Sequence, residues 1–284
     1  MYAAFRTDFD GSCAGGLHCN GGLREDCTGR TQHLRSALWR SVVAIPMLML
    51  MYRNLSWQIR DKKIILLRVV LGFGALCFFF AAAKGLSVAD LSLISKIQPI
   101  LVAILAPILI GSAEKASRQL WGLMALAMVG CMILLAPSLE VGSKYGLYAV
   151  LAAIFSAHAH IFIRRLRMEH PGIIVLWFQC GTGILSLLAC LLTLGTIPLP
   201  PSHLWLPLVG VGVMATLGQL LMTLAYKRTK AATVAIASYV GPLVAVGADV
   251  VAFGVFPTWN VYVGGSIVVL TGVMLLRQTQ SEDD

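Results

Sequence analysis

Lys96 stands near the middle of the apolar stretch SLISKIQPILVAILAPIL, from Ser92 to Leu109, and no acid shares that stretch. An ammonium so placed either loses its charge by desolvation or takes an anionic partner, and a solute carboxylate or phosphate is a partner that comes and goes. Gln98, two positions on, turns to the far side of a helix from Lys96. Pro99 removes a backbone donor, which either frees carbonyls to face a cavity or only kinks the helix for packing. Tyr239 and Asp249 lie on a later apolar run, where Asp249 is the one carboxylate well inside any run. It is either a partner for Lys96 or a solvated end residue. Gln179 and Gln219 suit cavity lining or interhelical hydrogen bonds. Trp177 is deep enough in its run to stack on a solute, whereas Trp39, Trp57, Trp121, Trp205 and Trp259 lie mostly at run ends, as interface aromatics do. Arg40 and Arg68 are near run ends and are expected to anchor at the interface.

Other chemistries find little support. His158 and His160 are two apart, so on a helix they point nearly opposite ways and cannot clasp one ion; no metal site is expected, though one of them can face a cavity and titrate near neutral pH. Cys77, Cys131, Cys180 and Cys190 lie in apolar runs and read as small buried hydrophobes. Cys13, Cys19 and Cys27, with His18, fit no zinc spacing. An intramembrane enzyme would need a nucleophile elbow, a phosphate-cradling glycine loop or clustered acids for a metal. None stands out, and the run of three acids, Glu282 to Asp284, is in the tail. No catalytic residue is expected.

The elements that must position these side chains follow from composition. Of 284 residues 12% are charged, about half the usual share of a soluble protein, and the mean hydropathy is +0.81. The net charge of +9 does not indicate nucleic acid, because the basic residues lie between apolar runs rather than gathered with readout side chains on one face. Runs long enough to span a bilayer fall at about 34–52, 64–83, 87–110, 120–136, 145–163, 173–194, 204–226, 231–253 and 259–276. They are continuously apolar, not alternating as barrel strands are, so the expected fold is all-α and integral to the membrane.

Lys and Arg set the orientation. Arg53, Arg60, Lys62 and Lys63 follow the first run, Lys115 and Arg118 the third, Arg164, Arg165 and Arg167 the fifth, and Lys227, Arg228 and Lys230 the seventh; the intervening gaps hold only Lys84 and Lys144. The odd gaps and the C-terminus are therefore expected in the cytoplasm. Lys84, Ser95, Pro99, Gly111 and Gly122 recur as Lys227, Ser238, Pro242, Gly254 and Gly265, each 143 residues on. That offset displaces the segment by five runs, an odd number, and so describes an inverted repeat. Its halves are unequal: residues 34–136 hold four runs and 145–277 hold five. Residues 1–33 supply no further span and no signal-peptide core; they read as a non-membrane segment, or as a mis-assigned start that displaced a first helix. Residues 278–284 form the tail.

LWRS at the first run, AAAKGLSVADLSLISKIQPILVAIL and EKASRQLWGLMALAMVG in the first half, and LAYKRTKAATVAIASYVGPLVAVGADVVAFG with YVGGSIVVLTGVMLL in the second resemble the drug/metabolite transporter superfamily, specifically proteins with paired EamA domains. The resemblance implies ten helices, both termini in the cytoplasm and no cofactor. It implies as partners a small-molecule solute and membrane lipid, with no nucleic acid and room for a homodimer. The chain departs from the pattern in its missing first helix, which would leave the N-terminus outside, and in the glutamate after the run, which is Glu114 one residue out of register and Val255 in the second half. The expected protein is a secondary transporter in the plasma (inner) membrane that exports a small metabolite or drug-like solute by rocking two inverted halves. Its expected site comprises Lys96, Gln98, Trp177, Gln179, Gln219, Tyr239 and Asp249. The competing expectations are a non-transporting remnant and, behind it, a lipid-modifying enzyme.

Overall fold

The computed structural model describes residues 37–136, 143–196, 199–200, 205–254 and 257–283, apart from the side chains at 194, 249, 252, 253 and 279–283. The expectations for residues 1–33, including Cys13, His18, Cys19 and Cys27, and for Val255, lie outside the described residues. In chain order the helices are α1 (Ala37–Met51), α2 (Lys62–Ala82), α3 (Val88–Ser95), α4 (Ile97–Leu109), α5 (Arg118–Leu135), α6 (Lys144–Arg165), α7 (Pro171–Leu194), α8 (Trp205–Arg228), α9 (Ala231–Ala237), α10 (Gly241–Phe253) and α11 (Trp259–Asp283). Counted through their breaks, α3–α4 and α9–α10 are single spans. Eight spans among the described residues are long and apolar enough to cross a membrane, and α1 is a shorter ninth. Each of the nine apolar runs coincides with one of them, so the protein is an all-α, multi-pass integral membrane protein.

Helix starts follow from local chemistry. Ser87, Ser117 and Ser143 take extended backbone before α3, α5 and α6, and each side chain accepts from a first-turn N–H. The α7 cap is His170, with Pro171 following it as the first helical residue. Gly195 and Gly254 end α7 and α10 in the left-handed region at φ 66° and 64°, where an L side chain would be strained.

The two split spans break at corresponding places. α3 gives way to α4 at Lys96, and α9 to α10 through a 3₁₀ turn over Ser238–Val240. Pro99 and Pro242 stand just past the breaks. Neither has an N–H for the carbonyl four residues earlier, so the Ser95 and Ser238 oxygens lose that α-helical donor, and the Ser238 oxygen accepts instead from the Gly241 N–H at the end of the 3₁₀ turn.

Two long contacts dominate the packing: α2 along α6, and α5 along α11. In the second the backbones touch. A Cβ at Gly264 would run into the backbone of Gly130 and Leu134, the small-residue contact that brings membrane helices together where lipid gives no hydrophobic drive. Cys131 and Cys190 are buried as expected and Cys180 partly so, but Cys77 is exposed on the outside of α2, a face that meets no neighbouring helix among the described residues.

The loops that the charge pattern puts on one side do gather there. The Arg60 N–H donates to Glu169 Oε1 at 2.8 Å, Arg164 Nε pairs with Glu114 Oε1 at 2.8 Å, Lys227 Nζ donates to the Glu169 carbonyl at 3.2 Å, and Gln278 Nε2 to Ser117 Oγ at 3.1 Å. Four odd-numbered gaps and the start of the tail thus share one face.

Candidate functional site

At the two helix breaks the halves grip each other. Lys96 Nζ donates to the Ser238 carbonyl at 2.6 Å, and Tyr239 Oη donates to the Lys96 carbonyl at 3.0 Å. Lys96 and Tyr239 are the residues that the 143-residue offset equates. The acceptor of the ammonium is the oxygen that Pro242 cannot serve; it already accepts the Gly241 N–H, and the lysine adds a second, charge-assisted bond. Cys131 Sγ, on α5, reaches the Tyr239 carbonyl at 3.6 Å. Gly241 leaves room for this arrangement, since a Cβ there would stand 3.4 Å from Lys96 Nζ.

A second polar group is built around Arg68, on the inward stripe of α2 formed by Ile65, Arg68, Val69 and Gly72. Arg68 is only 4% exposed. Its guanidinium carbon is 4.0 Å from the centroid of the Phe178 ring on α7, a cation–π contact. Nη2 donates to Gln219 Oε1 on α8 at 3.4 Å, a long bond, and Nε has no hydrogen-bond partner among the described residues. Among the described residues no carboxylate pairs with it. This differs from the interface position expected from sequence. Phe178, Gln219 and the α6 helix surround α2 at that depth, so the side chain turns inward instead of toward the headgroups.

Next to Arg68 stand His160, Tyr226 and Gln98. The imidazole stacks on the Tyr226 ring with centroids 5.4 Å apart and planes 11° apart. Its Nδ1 accepts from Gln98 Nε2 at 3.0 Å and lies 3.3 Å from Ser156 Oγ. Of the site residues read from sequence, Gln98 and Gln219 meet here; Arg68, His160 and Tyr226 were not among them.

The others are placed elsewhere. Gln179 is fully buried between α7 and α1, where its Oε1 lies 3.4 Å from Ser41 Oγ and 3.5 Å from Thr182 Oγ1. Trp177 is 44% exposed and donates its indole N–H to the Trp57 carbonyl at 3.0 Å, so it faces outward at the loop side. Asp249 belongs to α10, and its side chain lies outside the described residues. His158 turns away from His160 and hydrogen-bonds the Ile154 carbonyl at 2.8 Å. No three His, Cys, Asp or Glu residues among the described ones gather as metal ligands do.

A buried ion pair closes the loop face below these groups. Glu114, 3% exposed, and Arg164, 8% exposed, bond at 2.8 Å. Arg164 Nη1 also donates to the Tyr226 and Lys227 carbonyls, at 3.2 and 2.9 Å. Glu114 Oε2 accepts from the Ala231 N–H at 2.8 Å. The arginine thus meets the negative end of α8 and the carboxylate the positive end of α9, so one pair neutralises both helix ends at that turn. Nothing in these groups offers a nucleophile with an adjacent base. Their chemistry is binding and latching.

The pattern of the EamA-like transporter family matches residues 28–136 and 143–278. The chain is 26% identical over 243 residues to the pseudopaline exporter CntI of Pseudomonas aeruginosa, covering 84% of each. It is 29% identical over 219 residues to an uncharacterized transporter of Helicobacter pylori, covering 72% of each. Human solute carrier family 35 member G1 is 25% identical over 247 residues, which is 82% of this chain and 67% of that one. A solved crystal structure shares the fold at a TM-score of 0.71 with 21% sequence identity, over 86% of this chain and 89% of its own.

Proposed function

Because the chain belongs to the EamA-like transporter family and is a membrane transporter of a small solute, not an enzyme, we propose that it works as a secondary exporter by alternating access between its two inverted halves. The observation that carries this reading is the reciprocal bonding at the helix breaks, where Lys96 holds the Ser238 carbonyl and Tyr239 holds the Lys96 carbonyl. Broken helices facing each other across a repeat are a geometry in which two halves can rock about a central point. The Glu114–Arg164 pair gives the loop face a closed state, and the charge pattern makes that face, with the C-terminus, cytoplasmic. The membrane is then the plasma (inner) membrane, and the solute is a small metabolite or drug-like compound leaving the cell, as the name of the pseudopaline exporter suggests.

The test uses the full chain in proteoliposomes, with labelled amino acids, organic acids and ethidium as probes. Flux of at least one probe is expected, and a bifunctional thiol cross-linker joining Glu114→Cys to Arg164→Cys is expected to stop it reversibly. Flux that continues with the loop face locked shut excludes alternating access at that face; no flux of any probe favours the non-transporting remnant. Labelling of cysteines introduced at Gln278 and Gly195 reports sidedness, with Gln278 expected inside.

A further inference from the structure

Resting on that transport reading, we propose that Arg68 is the anion-recognition residue of the site and that the transported solutes carry a carboxylate. The carboxylate would take the Nε edge of the guanidinium, and Gln98, His160, Gln219 and Tyr226 would meet the neutral polar groups of the solute.

The case begins with what Arg68 lacks. A guanidinium has five N–H donors and remains charged at any physiological pH. Arg68 is 4% exposed, yet among the described residues Nε has no partner and Nη2 has only the 3.4 Å bond to Gln219. Phe178, 4.0 Å from the guanidinium carbon, covers one face of the ion and leaves its edge free. The Nε–Nη2 edge of arginine is the fork that matches the two oxygens of a carboxylate. A charge kept inside a membrane protein without a counter-ion marks a place where the counter-ion arrives with the ligand.

Charge counting selects the carboxylate over a phosphate. One guanidinium balances one negative charge, whereas a phosphate monoester carries nearly two at neutral pH. Lys96, the cation at the helix break, does not supply the second charge, because its ammonium is committed to the Ser238 carbonyl at 2.6 Å. The remaining groups around Arg68 are uncharged hydrogen-bonding side chains and the stacked rings of His160 and Tyr226. They suit a small organic acid or amino acid with polar substituents better than an extended apolar cation, which Arg68 would repel.

The experiment measures ligand-induced thermal stabilisation of the purified full chain in detergent, with probes matched in shape: benzoate against benzamide, N-acetylglycine against N-acetylglycinamide, and methyl phosphate. At least one carboxylate is expected to raise the melting temperature by a few degrees, as a ligand that binds only the folded state does, while the amides and methyl phosphate do not. Arg68→Gln is expected to weaken carboxylate binding about tenfold or more, and Arg68→Lys to retain part of it. If Arg68→Gln does not fold, the carboxylate–amide contrast in the unaltered protein and the Arg68→Lys titration decide. The inference falls if no carboxylate stabilises the protein, if the amides or methyl phosphate do as well, or if a folded Arg68→Gln binds carboxylates undiminished. Counterflow of the same probes separates this from the transport reading. Carboxylate binding without flux keeps the anion site and removes transport; flux of a neutral solute that ignores Arg68→Gln keeps transport and removes the anion site.

Discussion

Arg164 and Arg68 are both buried, at 8% and 4% exposure, and their surroundings are opposite. Arg164 has a carboxylate at 2.8 Å and two helix-terminal carbonyls. Arg68 has an aromatic face, one long amide bond and an unpartnered Nε. The first set of contacts is complete without a solute and joins α6, α8, α9 and the loop before α5, so its work is to hold a closed face. The second is incomplete, and completing it requires something the described residues do not provide. What separates a structural charge from a binding charge in this molecule is therefore partner count and not depth.

The largest test of that contrast is Arg164→Met. It strands Glu114 in a buried place and leaves the end of α8 without its counter-charge, so a loss of about 3–5 kcal/mol is expected. Thermal melting in detergent or yield of folded protein reads it. Adding Glu114→Met should recover much of the loss, since the stranded charge is then gone. A single variant as stable as the parent would mean that the pair is not a latch.

Lys96→Met comes next. Removing the ammonium takes the charge-assisted bond from the Ser238 carbonyl, which keeps only the Gly241 N–H, at a cost of about 1–3 kcal/mol. Loss of transport with undiminished stability would show that Lys96 belongs with Arg68, as a binding charge; a stability loss places it with Arg164. Arg68→Met is expected to move the other way, gaining about 1 kcal/mol in the absence of solute, because an incompletely paired charge gives way to an apolar chain. Loss of stability there would make Arg68 structural.

The sequence showed the frame of this contrast more readily than its occupants. Nine apolar runs locate nine spans, and Lys96, Pro99, Ser238 and Pro242 mark the two breaks. The partner of Lys96 was hidden because it is a backbone oxygen, which no letter of the sequence displays. Arg68 was misread for a different reason. The stretch IILLRVVLGFG is apolar all round, so it has no polar stripe to tell which face of α2 looks inward. An arginine one to two turns into such a helix either snorkels or turns in, and only the neighbours Phe178 and Gln219 decide. Gly72, four residues on and against Phe178, was the available hint, since a small residue on the same stripe marks a close helix contact. His160 reads from sequence as half of a rejected metal motif and Tyr226 carries no signal of its own, and only the α6–α8 contact stacks them.

The smallest effect tests whether the loop face holds together by fixed contacts alone. His170 caps α7 by accepting the Gly172 N–H at Nδ1, 3.2 Å away, and it lies outside the span. Protonation would remove that acceptor and put a positive charge at a helix N-terminus. Burial pushes its pKa down, and the Lys227 charge pushes it further; the Tyr52 ring, 5.0 Å away, is its other close neighbour. The folded chain therefore binds fewer protons at His170 than the unfolded chain, so the contribution is present above the unfolded value of about 6.5 and is lost as pH falls below it. The ring is partly exposed and solvent screens it, so the expected loss is about 0.5 kcal/mol, the low end for a cap. His170→Asn keeps a capping acceptor that does not titrate in this range and should flatten the melting temperature from about pH 7 to pH 5 relative to the parent. An unchanged slope in His170→Asn would assign the acid sensitivity of the loop face to another group and leave the cap without a part in it.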